Sequence, residues 1–298
     1  MENSVQDQLK TMFNMQEALN VHTNGPDYKE TKICAKTGKP IDYRMCAWME
    51  AGEFIGSFDW KHWKHGKNDI ENAKTELVDI WHFLMGMELI ENGAPTDNTI
   101  ENLSKYIAHP DVAEQNQNFD MLYLQTSIFP LTKEFAAHVL NESSNLTKLG
   151  NDTGIFNDFV RLCFATGLSF NELFQRYIIK NTLNKFRQDN GYAEGTYTKI
   201  WAWGEEDNVF AVKFATALAQ NLTSENLYGV LDYFYKVTLP EFDCFSGLTE
   251  EEAQAILSNV GMSIKLSGGT NFIDRNGSPA ELSFPSASHV DTIVVGNK

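Results

Sequence analysis

The chain has 298 residues, of which 42% are hydrophobic and 21% are charged, a composition typical of folded globular proteins and unlike disordered or collagen-like chains. Its formal net charge of −16 disfavours binding to a nucleic-acid backbone. The N-terminus is polar and no run of about 18 apolar residues occurs, so we expect neither a secretion signal nor a membrane-spanning segment. The four cysteines are far apart and form no CxxC pair, which favours a reducing, cytoplasmic compartment.

Apolar residues recur at helical spacing through the first two thirds of the chain. This pattern predicts an all-α fold whose catalytic domain is a helical bundle. The expected helices cover about 5–20, 40–60, 69–91, 119–140, 155–166 and 169–190. The helix over 69–91, with Asn68 as its N-cap, is apolar on nearly all sides and should lie in the middle of the bundle. We expect the polar segment 94–118 to be broken by Pro95 and Pro110.

The expected helices become shorter and the composition changes after residue 208. Shorter helices are expected over about 211–220, 224–237 and 249–259, followed by a tail rich in Gly, Ser and Asn with short β-type runs such as 292–295. We therefore predict a catalytic domain over 1–208. The remaining residues, 209–298, are predicted to form an appended module of short helices with a partly β or irregular tail, of unknown role.

Two acidic pairs stand out on neighbouring predicted helices. Glu50 and Glu53 are three residues apart, as are Glu76 and Asp79, and this spacing places each pair on one helix face. Such pairs usually belong to solvated faces. Here their helical neighbours are apolar, and buried like charges are costly unless protons or cations neutralise them. Four hard oxygen ligands favour Mg²⁺, with Mn²⁺ as a possible substitute.

A di-iron carboxylate bundle is an alternative interpretation of the acidic pairs. Asp79 and His82 have the spacing of the Glu-x-x-His element of that class. The chain contains no Glu-x-x-His sequence, which disfavours this alternative. We expect His82 to be a hydrogen-bonded residue of the core.

A cationic stripe lies on the helix that ends near residue 190. Lys180, Asn184 and Arg187 fall at positions i, i+4 and i+7, and Lys199 follows in the next segment. The stripe is either an exposed charged face or a phosphate-binding surface, for which Arg offers bidentate contacts and Lys a point charge. Carboxylates that hold a metal and a cationic stripe together indicate metal-assisted phosphoryl chemistry. No P-loop, dinucleotide-binding or nucleophile-elbow motif occurs.

Five blocks of the sequence resemble the all-α, dimeric dUTPase family, in the superfamily that includes MazG-type nucleotide pyrophosphatases. They contain the motifs MQEALN, EAGE followed by DWKHW, ELVDIWHF, KNTLNKFRQ, and GY through KIW to EDN. In order, they cover residues 15–20, 50–63, 76–83, 180–188 and 191–208. The resemblance therefore ends at Asn208 and says nothing about residues 209–298.

The resemblance implies a role for each matching residue. Four carboxylates would bind Mg²⁺, and one of them, Glu50, would deprotonate the attacking water; the set is Glu50, Glu53, Glu76 and Asp79. The uracil and deoxyribose would contact Gln16, Asn20, His62 and Phe83. The phosphates would contact Lys180, Asn184, Arg187 and Lys199, with Tyr192 and Asn208 as further candidates. His62 departs from the family pattern, because relatives often have Trp at that position.

The implied function is Mg²⁺-dependent hydrolysis of dUTP, and of dUDP, to dUMP by a homodimer whose partners are deoxyuridine nucleotides. Two alternatives stay open. One is a phage-type dCTP/dUTP pyrophosphatase, because uracil and cytosine differ by one hydrogen-bond donor or acceptor in the pocket. The other is a protein with the dUTPase fold and an added regulatory binding role.

Overall fold

The computed structural model describes residues 4–107, 119–141, 143–144, 146, 154–201, 206–218, 222–238, 263–266 and 280–283. The fold is all-α, as predicted. In the part of the chain that is described, the strands are confined to one short antiparallel pair near the C-terminus. The chain divides into two compact units, residues 1–177 and 178–298.

The first unit is a helical bundle. Its helices are α1 (Val5–Asn24), α2 (Tyr28–Thr31), α3 (Tyr43–Gly56), α4 (Ile70–Glu91), α5 (Asp97–Ile107), α6 (Met121–Tyr123), α7 (Phe129–Leu140), α8 (Ile155–Ala165) and the first part of α9 (Phe170–Asp189). A π-helical turn, Leu124–Ile128, joins α6 to α7. The predicted helix over 119–140 is therefore present, with one wider turn inside it.

Helix α4 occupies the centre of this bundle. It packs against α1, α2, α3 and α8, and its Trp81 side chain is fully buried. The Trp81 ring stacks on Phe159, with ring centroids 5.2 Å apart, and its Nε1–H donates to Met12 Sδ at 3.3 Å. The prediction that this helix lies in the middle of the bundle is confirmed, and its position brings side chains of α4 against both α1 and α3.

Two local predictions in the first unit are wrong. The N-cap of α4 is Asp69, whose Oδ1 accepts from the Asn72 N–H at 2.9 Å; Asn68 instead accepts from the Asp59 N–H. The segment 94–118 contains α5, which begins two residues after Pro95. Its buried face packs against α1 and α8, and the apolar residues of this face, Ile100, Leu103 and Ile107, recur at helical spacing. Residues 108–118 lie outside the described part of the chain.

The second unit comprises the end of α9, then α10 (Asp207–Leu218), α11 (Ser224–Thr238), β1 (Ser263–Leu266) and β2 (Ala280–Ser283). The two strands are antiparallel, with Ser263 opposite Ser283. Short helices and a partly β tail are thus observed where they were predicted. The predicted helix over 249–259 and the β-type run over 292–295 lie outside the described residues.

One hydrophobic core joins both sides of the boundary predicted after Asn208. Phe186 of α9 and Trp201 pack in the same cluster as Phe214 of α10 and Phe234 of α11. The sequence boundary between the two compact units falls inside α9, after Tyr177, so all residues of this core belong to the second unit. The physical reason is that the apolar faces of α10 and α11 are covered by side chains that precede them in the chain.

Candidate active site

Three of the four predicted metal ligands lie together in the first unit. Glu50 comes from α3, and Glu76 and Asp79 come from α4, the helix against which α3 packs. Each offers one carboxylate oxygen, and these oxygens all lie within 4.8 Å of one another. Glu76 is buried, whereas Glu50 and Asp79 are half-buried. Glu53 is exposed and lies outside this three-residue group, although it is on the same helix as Glu50.

Two polar residues that the sequence analysis missed orient Glu76. Asn72, one turn earlier on α4, donates from Nδ2 to Glu76 Oε1 at 2.9 Å. The same amide nitrogen donates to Ser57 Oγ at 2.8 Å, so both amide hydrogens are engaged. A residue four positions before a predicted ligand shares its helix face, and this spacing is the signal that could have identified Asn72.

The donor set of this carboxylate group fits a hard divalent cation. Like charges this close raise each other's free energy, and a cation between them removes that cost. Carboxylate oxygens are the ligands that Mg²⁺ prefers, usually together with water and substrate phosphate oxygens. The group can therefore hold a metal ion and leave coordination positions for a phosphate.

Two of the residues predicted to contact the base meet on α1 in the core of the first unit. Gln16 and Asn20 are both buried, and Gln16 Nε2 donates to Asn20 Oδ1 at 2.8 Å. His82 is buried as expected, and its Nδ1 lies 2.7 Å from Gln16 Oε1. The other two candidates lie elsewhere: Phe83 is half-buried beside the Tyr43 ring, and His62 is exposed beside the Trp63 ring.

Most of the predicted phosphate-binding residues gather around Tyr192 in the second unit. The Arg187 guanidinium carbon is 5.9 Å from the centroid of the Tyr192 ring, and Lys199 Nζ is 5.6 Å from it. Arg187 also donates to Asn184 Oδ1 at 3.3 Å and to Asn208 Oδ1 at 3.0 Å. The structure thus brings together residues that are up to 24 positions apart in sequence, from Asn184 to Asn208.

Arg187 is already engaged by a buried carboxylate. Its Nε and one terminal nitrogen donate to the two oxygens of Asp207, both at 2.7 Å, and the Asp207 side chain is fully buried. Burial by itself would lower the pKa of Arg187, but the hydrogen bonds and charge of Asp207 outweigh it, and the pKa lies above its usual value. With Asn184 and Asn208, this pair engages four of the five N–H donors of the guanidinium.

The contact with Asp207 limits the number of N–H donors that Arg187 can offer to a phosphate. A bidentate contact would need two neighbouring N–H groups, so Asn184 or Asn208 would have to release its own contact. Asp207 was not among the predicted site residues, although it lies inside the last matching block, next to Asn208. Its carboxylate accepts from Arg187 of α9 and from the Tyr197 hydroxyl, contacts that periodicity does not reveal.

A sequence model of a known family, described as dUTPase, matches residues 8–192, well over half of the chain. The chain belongs to the dUTPase family. This dUTPase match supports a hydrolase of nucleotide metabolism, and members of the family generally use a divalent metal ion. It includes the carboxylate group and the Gln16–Asn20 pair, whereas Lys199 and Asn208 follow its last residue. No curated protein matches the chain. Among the described residues, no helix is both long and apolar enough to cross a membrane.

Proposed function

We propose that this dUTPase-family protein is a Mg²⁺-dependent dUTP diphosphatase, which hydrolyses dUTP to dUMP and pyrophosphate and also accepts dUDP. The observation that carries the proposal is the group of three carboxylate oxygens within 4.8 Å, in a chain of this family. Hydrolysis of a phosphoanhydride needs positioning of water and neutralisation of charge on phosphate oxygens, and a metal held by carboxylates supplies that neutralisation.

In this proposal Glu50, Glu76 and Asp79 would hold Mg²⁺, with Glu53 as a fourth ligand from the same helix as Glu50. Glu50 also accepts the proton of the attacking water; it is the one member of the three that comes from α3, across from the two carboxylates of α4. Asn72 holds the Glu76 carboxylate in one orientation through its hydrogen bond. Ordering the ligand before substrate arrives lowers the reorganisation that the reaction requires.

The nucleotide contacts follow the family motifs residue by residue. We propose that Gln16 and Asn20 bind the base, with Phe83 stacking on it and His62 as a further contact. The phosphates are proposed to bind a set of cationic and polar residues, namely Lys180, Asn184, Arg187, Tyr192, Lys199 and Asn208. Lys180 and Lys199 act there as point charges, whereas Arg187 contributes through the N–H that its protein partners leave available.

We infer a homodimer in a reducing, cytoplasmic compartment. An apolar groove of about 450 Å³ lies between α3 and α7, lined by Trp48, Ile55, Trp60 and Phe129 among others. Met45 and Met49 of the same α3 face are also exposed. Contiguous apolar surface of this kind is typical of protein–protein interfaces, and we propose that a second copy of the chain covers it. The proposed compartment rests on the wide spacing of the four cysteines, which form no CxxC pair.

Turnover assays test the proposed activity. The protein is incubated with Mg²⁺ and, separately, dUTP, dCTP, dTTP and UTP, and the products are resolved. We expect pyrophosphate and dUMP from dUTP, and complete loss of turnover when a chelator removes the metal. Turnover of ribonucleotides alone, or full activity in the presence of the chelator, would contradict the proposal.

A pair of variants tests the carboxylate group. Glu50→Gln removes a metal ligand and the proposed base, so kcat should fall about 100-fold or more while the protein stays folded. Glu30→Gln, an exposed acidic residue on α2, is the matched control and should be unaffected. Equal activities for the two variants at saturating Mg²⁺ would remove Glu50 from the site.

A further inference from the structure

A continuous chain of hydrogen bonds runs through the first unit from Glu17 to His82. Tyr28 donates to Glu17 Oε2 at 2.7 Å, and Asn20 Nδ2 lies 3.4 Å from the Tyr28 hydroxyl. Gln16 Nε2 donates to Asn20 Oδ1 at 2.8 Å, and His82 Nδ1 is 2.7 Å from Gln16 Oε1. The last four members are at most 4% exposed, so water does not compete for these contacts.

Glu17 sets which groups donate and which accept along this series of hydrogen bonds. An ionised carboxylate can only accept hydrogen bonds, and Lys29 Nζ, 2.8 Å from Glu17 Oε1, stabilises the ionised form. Tyr28 must therefore donate its single hydrogen to Glu17. Burial raises the pKa of Tyr28 above its usual value and Glu17 raises it further, so the hydroxyl keeps this hydrogen.

The donor and acceptor role of each side chain then fixes that of the next. Because the Tyr28 hydrogen points to Glu17, its oxygen offers lone pairs to Asn20, which must turn its NH₂ group towards Tyr28. Asn20 Oδ1 then faces Gln16, whose NH₂ group must point to it. If either amide turned over by 180°, two donors or two acceptors would meet at a buried junction, which is unfavourable.

At the other end of the hydrogen-bond series, His82 favours the same orientation of the Gln16 amide. Gln16 Oε1 has no hydrogen to give, so His82 Nδ1 carries the proton of this contact. The His82 ring stacks on Tyr177, with ring centroids 4.4 Å apart, which fixes its plane. The Tyr177 hydroxyl shares its one hydrogen between the Met12 carbonyl at 3.0 Å and Gln16 Oε1 at 3.1 Å. The His82 N–H is therefore the contact that keeps the Gln16 amide nitrogen on the Asn20 side.

We propose that the Glu17–Tyr28 pair determines the preference of this enzyme for uracil over cytosine, by locking the amides of Asn20 and Gln16 in one orientation. The inference rests on the proposed function, and on the proposal that these two amides bind the base. Uracil and cytosine differ at ring position 4, where uracil has an accepting oxygen and cytosine a donating amino group. A freely turning amide serves either group, whereas a locked NH₂ group serves only the oxygen.

The pair acts through other residues, so Glu17 and Tyr28 are positioning residues. The locked amides each keep one N–H beyond those used in the chain, and a carbonyl oxygen of the base can accept it. A cytosine amino group in the same place would leave two buried donors facing each other. A buried donor without an acceptor typically costs a factor of about ten or more in binding.

The test compares dUTP and dCTP as substrates of the full chain with Mg²⁺. Tyr28→Phe removes the hydroxyl and leaves the packing, so the ratio of kcat/KM for dUTP to that for dCTP should fall about tenfold, chiefly because dCTP is used better. Glu17→Gln, whose amide can donate as well as accept, should lower the ratio by a smaller factor. Tyr123→Phe is the matched control, because its hydroxyl donates to the Ala165 carbonyl outside this chain.

The outcomes separate this inference from the proposed function. If the unchanged chain hydrolyses neither nucleotide, the proposed function fails. If it hydrolyses dUTP but the ratio in Tyr28→Phe stays within twofold of the unchanged chain, the inference is overturned and the function stands. Should Tyr28→Phe not fold, the ratio in Glu17→Gln decides in the same way. Nitrogen NMR of His82 gives a readout that does not depend on activity. A proton on Nδ1 supports the series of hydrogen bonds from Glu17 to His82, and the absence of that proton overturns the inference.

Discussion

In the first unit three carboxylates of like charge lie with their oxygens within 4.8 Å, whereas in the second unit the guanidinium of Arg187 is matched by the fully buried carboxylate of Asp207. Both sets were predicted as parts of one nucleotide site from the spacing of charges along helices. Their environments are opposite: the acidic set concentrates one sign of charge, and the cationic set pairs its most buried member with the opposite sign.

The two environments have different consequences for stability and catalysis. A gathering of like charges raises the free energy of the fold and is retained where a ligand compensates it. A buried, bidentate ion pair instead affects the free energy of unfolding. Removal of one partner leaves the other charged and buried, which is costly. We therefore expect substitutions in the acidic set to affect mainly catalysis, and substitution of Arg187 to affect stability first.

The largest effect should follow removal of α10 and α11. A chain that ends at Asn208 leaves Phe186 and Trp201 without most of their core, and each large side chain contributes about 1.5–3 kcal/mol by burial. We expect the melting temperature to fall by about 10 °C or more. A chain that ends at Gly261 keeps both helices and should melt within a few degrees of the full protein. Equal melting temperatures would show that the second unit does not depend on this core.

The second-largest effect is expected for substitutions in the Arg187–Asp207 pair. Arg187→Ala leaves the buried Asp207 carboxylate without its bidentate partner, so the free energy of unfolding should decrease by about 3–5 kcal/mol. Urea unfolding measures this loss. Replacement of both residues, Arg187→Met with Asp207→Leu, should restore part of it because no charge is left buried. A loss below about 1 kcal/mol for Arg187→Ala would mean that the guanidinium serves the substrate rather than the fold.

The smallest effect is expected for Lys180. Lys180→Ala removes one proposed point charge for phosphate, so the KM for dUTP should rise about tenfold, a change of about 1.4 kcal/mol, with little change in stability. Inhibition by deoxyuridine, which has no phosphate, should be unchanged. Lys185→Ala on the same helix, where Lys185 pairs with Asp189, is the control. Equal weakening of dUTP and deoxyuridine by Lys180→Ala would indicate a structural role.

Several features of the fold could be predicted because they depend on neighbours in sequence. Ser169 accepts from the Glu172 N–H at 3.2 Å, as its position before a helix predicts, and Gly191 follows α9 with a φ of 86°, which glycine tolerates. The centre of the bundle was also predictable, since α4 is apolar on almost every side. Helix α5 was missed although Ile100, Leu103 and Ile107 recur at helical spacing, because the two prolines of the segment were given more weight than this pattern.

The candidate site was predictable in part for the same reason. Two carboxylates three residues apart lie on one face of any helix, so the spacing alone shows that Glu76 and Asp79 share a face of α4. Apolar periodicity likewise indicates the all-α class, and the family motifs give the set of site residues to consider. The packing of α3 on α4 then selects the third carboxylate, because it brings in Glu50 and leaves Glu53 exposed. Tertiary structure likewise decided that Arg187 meets Asp207 and that Tyr28 meets Glu17 and Asn20. Distances within a helix are set by its repeat, whereas distances between elements are set by how their side chains pack.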